Sequence, residues 1–187
     1  MLPLVRALRT GGDSWGDRPE DHARAYPCDA IATEPTQALF RAIDVSAPAS
    51  HVYRWLCQLT VAPYSYDVID NRGRRSPREL TEGADLLRVG QCVMTIFRLE
   101  SYAPGEHLTL RMHEPEAVRQ FDDLVLTYDV RPTGDRHSRL VVKLLLPVRP
   151  GRARAVRRRL LVLGDLVMMR KQLRTLRRLA ETTRPAP

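Results

Sequence analysis

The chain has 187 residues, 43% of them hydrophobic and 28% charged, with a formal net charge of +8. That length suits one domain with a sizeable core, and the composition excludes a disordered or fibrous chain. No apolar run approaches the roughly 18 to 20 residues that span a bilayer. The first ten residues, interrupted by Pro3, Arg6 and Arg9, do not read as a secretory segment, so a cytoplasmic protein is expected.

Residues 1–37 show little periodicity. Gly11, Gly12, Pro19, Pro27 and Pro35 punctuate them, so they are expected to form a mostly irregular extension with one short helix. Ala38 to Val45 alternate as a strand does. Ser46 to Leu59 follow as a helix, with Ser46 as N-cap and Val52, Trp55, Leu56 and Leu59 on one face. Residues 61–90 are a long polar excursion containing Tyr64-Ser65-Tyr66-Asp67 and the turn signal Asn71-Arg72-Gly73.

Four strand candidates come next, Gln91 to Tyr102, His107 to His113, Phe121 to Arg131 and His137 to Pro147. Their short connections make them antiparallel neighbours. Leu108, Leu110 and Met112, then Leu124, Leu126, Tyr128 and Val130, then Leu140, Val142, Leu144 and Leu146 draw one apolar face. The opposite face, with Thr109, Arg111, His113, Asp123, Thr127, Asp129 and Lys143, reads as largely wet. From Ala153 to about Thr182 runs a long helix. Its stripe of Val162, Leu166, Met169, Leu173, Leu176 and Ala180 steps by four and three, and residues 183–187 are a tail.

The order strand, helix, long loop, antiparallel strands, long C-terminal helix is that of an α+β helix-grip fold, a curved antiparallel sheet wrapped around the last helix to enclose an apolar cavity. Residues 38–182 would form that domain. Several pieces carry a family resemblance. They are Ser14-Trp15-Gly16, Ala47-Pro48, Trp55-Leu56-Cys57-Gln58, Tyr64-Ser65-Tyr66-Asp67 with Asp70-Asn71, Val89-Gly90, and Met168-Met169-Arg170-Lys171-Gln172-Leu173. On these the chain resembles the SRPBCC superfamily (START-like and polyketide cyclase/dehydrase proteins), and within it a bacterial branch. In one departure, Leu59 to Pro63 stand where many relatives carry a longer Arg-Gly-Gly type stretch. The resemblance implies six or seven strands. Five are evident, so the others are sought in residues 60–90 or 113–121. It also implies binding of a small hydrophobic molecule, a polyketide, isoprenoid or lipid, with or without cyclase/dehydratase chemistry on it.

The expected lining is Trp55, Tyr64, Tyr66, Asp67, Phe97, Leu110, Met112, Leu126, Tyr128, Leu144 and Met169. Tyr64, Tyr66 and Asp67 could orient a polyketone and assist proton transfer, or could plug the sheet and cap a turn. Tyr128 is the one polar group on the apolar face of its strand and needs a partner, either ligand or neighbour. No cofactor and no metal site is implied. The five histidines have no ligand spacing, and the three cysteines form no close pair and read as buried thiols. Residues 149–187 carry a charge of +10 against −2 for the rest, and Arg149 to Arg159 hold six arginines. The alternative function is therefore binding of an anionic membrane surface or nucleic acid through that basic helix.

Overall fold

The computed structural model describes residues 12–32, 35–66 and 73–183. The strands are β1 Ser14–Trp15, β2 Thr36–Val45, β3 Cys92–Val93, β4 Phe97–Ala103, β5 His107–Met112, β6 Val125–Gly134 and β7 His137–Pro147. The helices are α1 Pro19–His22, α2 Ala49–Cys57, α3 Pro115–Phe121 and α4 Arg152–Thr182, with 3-10 turns at Pro27–Ala30 and Gln58–Thr60. The strands form one seven-stranded sheet in the order β1-β2-β7-β6-β5-β4-β3, antiparallel except for the parallel pair β1–β2.

The alternating aliphatic residues of β2 and of β4 to β7 point to one face and bury there against α2 and α4. The 31 residues of α4 lie along this face. Val162, Leu166, Met169, Leu173, Leu176 and Ala180 are all buried, as the stripe predicts. Among the described residues, no helix is long and apolar enough to cross a membrane.

Several expectations need correction. The two further strands lie in neither of the segments where they were sought. One is β1, in the N-terminal segment. The other is β3, which the predicted strand Gln91 to Tyr102 contained. That strand is broken because Met94 and Thr95 adopt left-handed backbone angles, φ 50° and 64°. Residues 115–121 form α3, with Pro115 in its first turn and the Glu114 side chain accepting from Ala117 N–H. The strand predicted from Phe121 therefore starts at Val125. Ser46 does not cap α2, which begins at Ala49. The Ser46 backbone N–H instead donates to Glu181 at the end of α4.

The face expected to be wet is mostly covered. Tyr26, Cys28, Phe40, Ala42, Val125, Val141 and Leu145 form a second apolar cluster there. Thr109 and Thr127 are buried beneath it, hydrogen bonded to each other at 3.0 Å, and Thr127 Oγ1 accepts from Cys28 N–H. Alternation shows which residues share a face, but not that another segment covers it. Arg139 is also buried, with its guanidinium on Asp21 and Asp44. Burial raises the Asp21 pKa, but the Arg139 side chain, Arg18 N–H and the charge of Arg131 outweigh that and hold the carboxyl below its usual value. Gly16 makes the turn out of β1 with φ +72°. A Cβ there would stand 2.1 Å from Ala42 O, so only glycine lets the two strands approach.

Candidate functional site

The predicted residues converge on the packed interior between the sheet and α4, with exceptions. Leu110, Leu126 and Tyr128 are fully buried beside Met112 and Leu144 on the inner face, and Met169 meets them from α4. Phe97 is half-buried at the margin of this cluster. Trp55 and Tyr64 are buried and meet edge to face, ring centroids 6.1 Å apart. Tyr66 is 39% exposed and does not join the interior. Asp67, Asp70 and Asn71 lie outside the described residues.

The polar centre of this interior is a relay. Tyr128 O–H donates to Gln172 Oε1 at 2.6 Å, and Gln172 Nε2 donates to Pro63 O at 2.6 Å, with Met94 Sδ at 3.2 Å. Met169 Sδ lies 3.8 Å from the Tyr128 hydroxyl. Gln172 thus ties a sheet strand, the long helix, the loop before Tyr64 and the break between β3 and β4. Burial pushes the Tyr128 phenol far above its ordinary pKa, so it stays a neutral donor.

Around this relay the backbone adopts angles that L-residues rarely hold. Tyr64 has φ 56°, Met94 50° and Thr95 64°, and none of them is glycine. Such conformations cost about 1–3 kcal/mol each and persist where surrounding contacts enforce them. Here Pro63 O and Met94 Sδ both bind Gln172, and Met94 N–H donates to Leu59 O. Gln58 anchors the following loop from the other side, its Oε1 accepting from Thr81 N–H at 3.0 Å.

At the far end of α4, Thr183 Oγ1 donates to Leu179 O, accepts from Trp55 Nε1 at 3.0 Å and lies 3.0 Å from His51 Nε2. With the hydroxyl proton committed to Leu179, His51 must donate through Nε2. Its Nδ1 is then an unprotonated nitrogen, buried and without a hydrogen-bond partner among the described residues. Burial and the charge of Arg54 accordingly hold the His51 pKa below its usual value. A second buried polar contact joins α4 to the sheet, with Arg41 donating to Asp165 at 2.8 and 3.1 Å.

Gln172, Met94 and Pro63 were not among the predicted site residues. The signal for Gln172 was present, since it sits three positions after Met169 and next to Leu173, on the buried side of the stripe. Pro63 contributes a backbone carbonyl, which residue type cannot announce.

Depressions open elsewhere among the described residues. One, of about 450 Å³, runs between β1–β2 and the end of α4, with Trp15, Gly16, Ile43, Arg174, Arg177 and Glu181 in its walls. Arg174 lies over the Trp15 ring, 5.8 Å from its centroid. Another, of about 60 Å³, lies near Ile31, Val125 and Leu145.

No family model and no curated protein matches the sequence significantly. Solved structures do match the fold. An aromatase/cyclase named Zhui from a Streptomyces species aligns over 79% of this chain and 94% of its own, with TM-score 0.52 and 14% identity. Norcoclaurine synthase from Thalictrum flavum, solved with dopamine and hydroxybenzaldehyde, aligns over 87% and 96%, with TM-score 0.50 and 13% identity. A protein from Mesorhizobium loti aligns over 79% and 99%, with TM-score 0.50 and 15% identity. The chain thus has the helix-grip fold that these solved structures share, a seven-stranded sheet against a long C-terminal helix.

Proposed function

We propose that the protein binds a small, largely apolar molecule between the concave face of its sheet and α4, and grips one polar atom of that molecule with Tyr128 and Gln172. The relay between these two side chains carries the reading. It is a buried donor and acceptor surrounded by Leu110, Leu126, Met169 and other apolar side chains, the mixture expected of a small-molecule site. A ligand oxygen can take the place of either partner. Two methionines beside the relay, Met94 and Met169, supply side chains that repack at low cost. The left-handed residues Tyr64, Met94 and Thr95 place the strained part of the backbone at the same spot, where a loop held by Gln172 could move to admit the ligand.

Binding is favoured over cyclase or dehydratase chemistry. Tyr128 is held protonated, so it orients rather than abstracts a proton, and Asp165, whose charge also acts on Tyr128, is committed to Arg41. The fold shared with an aromatase/cyclase and with norcoclaurine synthase is compatible with either activity and decides neither.

Native mass spectrometry of the purified protein tests the reading. The expected result is a bound apolar compound at one per chain, or one-to-one uptake of the neutral probe N-phenyl-1-naphthylamine. A bare chain that also takes up no probe would overturn it.

A further inference from the structure

A surface helix ordinarily buries one apolar stripe and turns polar residues outward. The first half of α4 has two. Val162, Leu166 and Met169 face the sheet, while Val156 (63% exposed), Leu160 (65%) and Val167 (53%) face out, with half-buried Leu163 between them. The outer four step by four, three and four residues. At 100° per residue they fall within about 60° of one another.

Arginines border this stripe on both sides, Arg157 on one and Arg152 and Arg159 on the other. Arg149 to Arg159 contain six arginines and no acid. Of the described acids, Asp122 takes Arg157 at 2.8 Å and Arg149 at 3.7 Å. Arg152, Arg154, Arg158 and Arg159 form no ion pair among the described residues. This cationic cluster sits at a helix N-terminus, where the macrodipole already disfavours positive charge. The fold alone gives no return for either the exposed aliphatics or the unpaired arginines.

We propose that this half of α4 is a docking surface for a bilayer containing anionic lipid. Val156, Leu160 and Val167 enter the boundary between headgroups and acyl chains, and the flanking arginines bind the phosphates. Charge and shape together select this occupant. A second copy of the chain would bring two unneutralised arginine clusters together. Nucleic acid would satisfy the arginines but leave the aliphatic stripe in water. An anionic membrane surface accepts both. The inference does not depend on the ligand reading above, because none of these side chains belongs to the Tyr128–Gln172 interior.

The test is co-sedimentation of the full chain with phosphatidylcholine vesicles, with and without phosphatidylglycerol. Binding is expected only to the anionic vesicles and should weaken as salt rises. V156S with L160S should lower the partition coefficient about 10-fold or more, and R152Q with R159Q about 25-fold. All four positions are exposed, and an unchanged circular dichroism spectrum and melting temperature would show that the variants fold. Three results would each overturn the proposal. They are no binding to anionic vesicles, binding untouched by the aliphatic changes, and tighter binding to duplex DNA than to vesicles. A wild-type dimer in analytical ultracentrifugation that L160S disperses would assign the stripe to self-association instead.

Discussion

Replacing Tyr128 by phenylalanine removes one hydroxyl from the interior and leaves Gln172 Oε1, 2.6 Å away, buried without its donor. An orphaned buried acceptor costs about 1–3 kcal/mol. For a chain of this length each kcal/mol corresponds to about 2–4 °C in melting temperature. Gln172→Leu is expected to cost at least as much, because it strands both the Tyr128 hydroxyl and Pro63 O. The double variant strands only Pro63 O, since the first pair is then replaced by two apolar groups. The two single costs therefore should not add, and the double variant should be more stable than their sum by about 2 kcal/mol or more. Urea unfolding followed by tryptophan fluorescence measures all four corners of the cycle. Additivity within about 0.5 kcal/mol would show that Tyr128 and Gln172 are not coupled, and would remove the relay from the account.

Protonation of His51 is penalised in the folded state, so the unfolded chain takes up more protons below the unperturbed value. Stability is therefore complete above about pH 6.5 and falls as pH drops below it. A His51→Gln variant should flatten the melting temperature between pH 5 and 7, and an unchanged pH profile would refute the penalty on protonating His51. Gly16→Ala forces a Cβ against Ala42 O and should detach β1, seen as faster hydrogen exchange of Phe40 N–H, which donates to Asp13 O at 2.8 Å. Unchanged protection would contradict the close approach. Of the three thiols only Cys92 is exposed, while burial pushes Cys57 up to about 12 and raises Cys28 as well. A thiol reagent should thus modify one cysteine rapidly in the native chain and three after denaturation. Three rapid reactions in the native chain would mean that the interior is open to solvent.

The elements legible in the sequence were those with long, uninterrupted periods. The stripe from Val162 to Ala180 and the alternations of β6 and β7 gave both the element and its buried face. Short elements were not legible. β1 and β3 have two residues each, too few for any period, and β3 ends where Met94 and Thr95 take an uncommon backbone angle. Thr109 and Thr127 looked solvent-facing because their type is polar, yet they lie under Cys28 and pair with each other. The expectation of three buried thiols failed at Cys92 alone, which sits on the terminal strand of the sheet. In the candidate site, aliphatic lining was readable from alternation, and so was the need of Tyr128 for a partner. The partner was not, because Gln172 comes from an element 44 residues away in the chain.

The most direct test of the ligand-binding account uses the five methionines of the chain as reporters. In a protein labelled with carbon-13 at the methionine methyls, addition of neutral N-phenyl-1-naphthylamine should shift the Met94, Met112 and Met169 signals saturably at one equivalent. If none of these three moves, the probe is not entering between the sheet and α4, and the proposed binding site is contradicted.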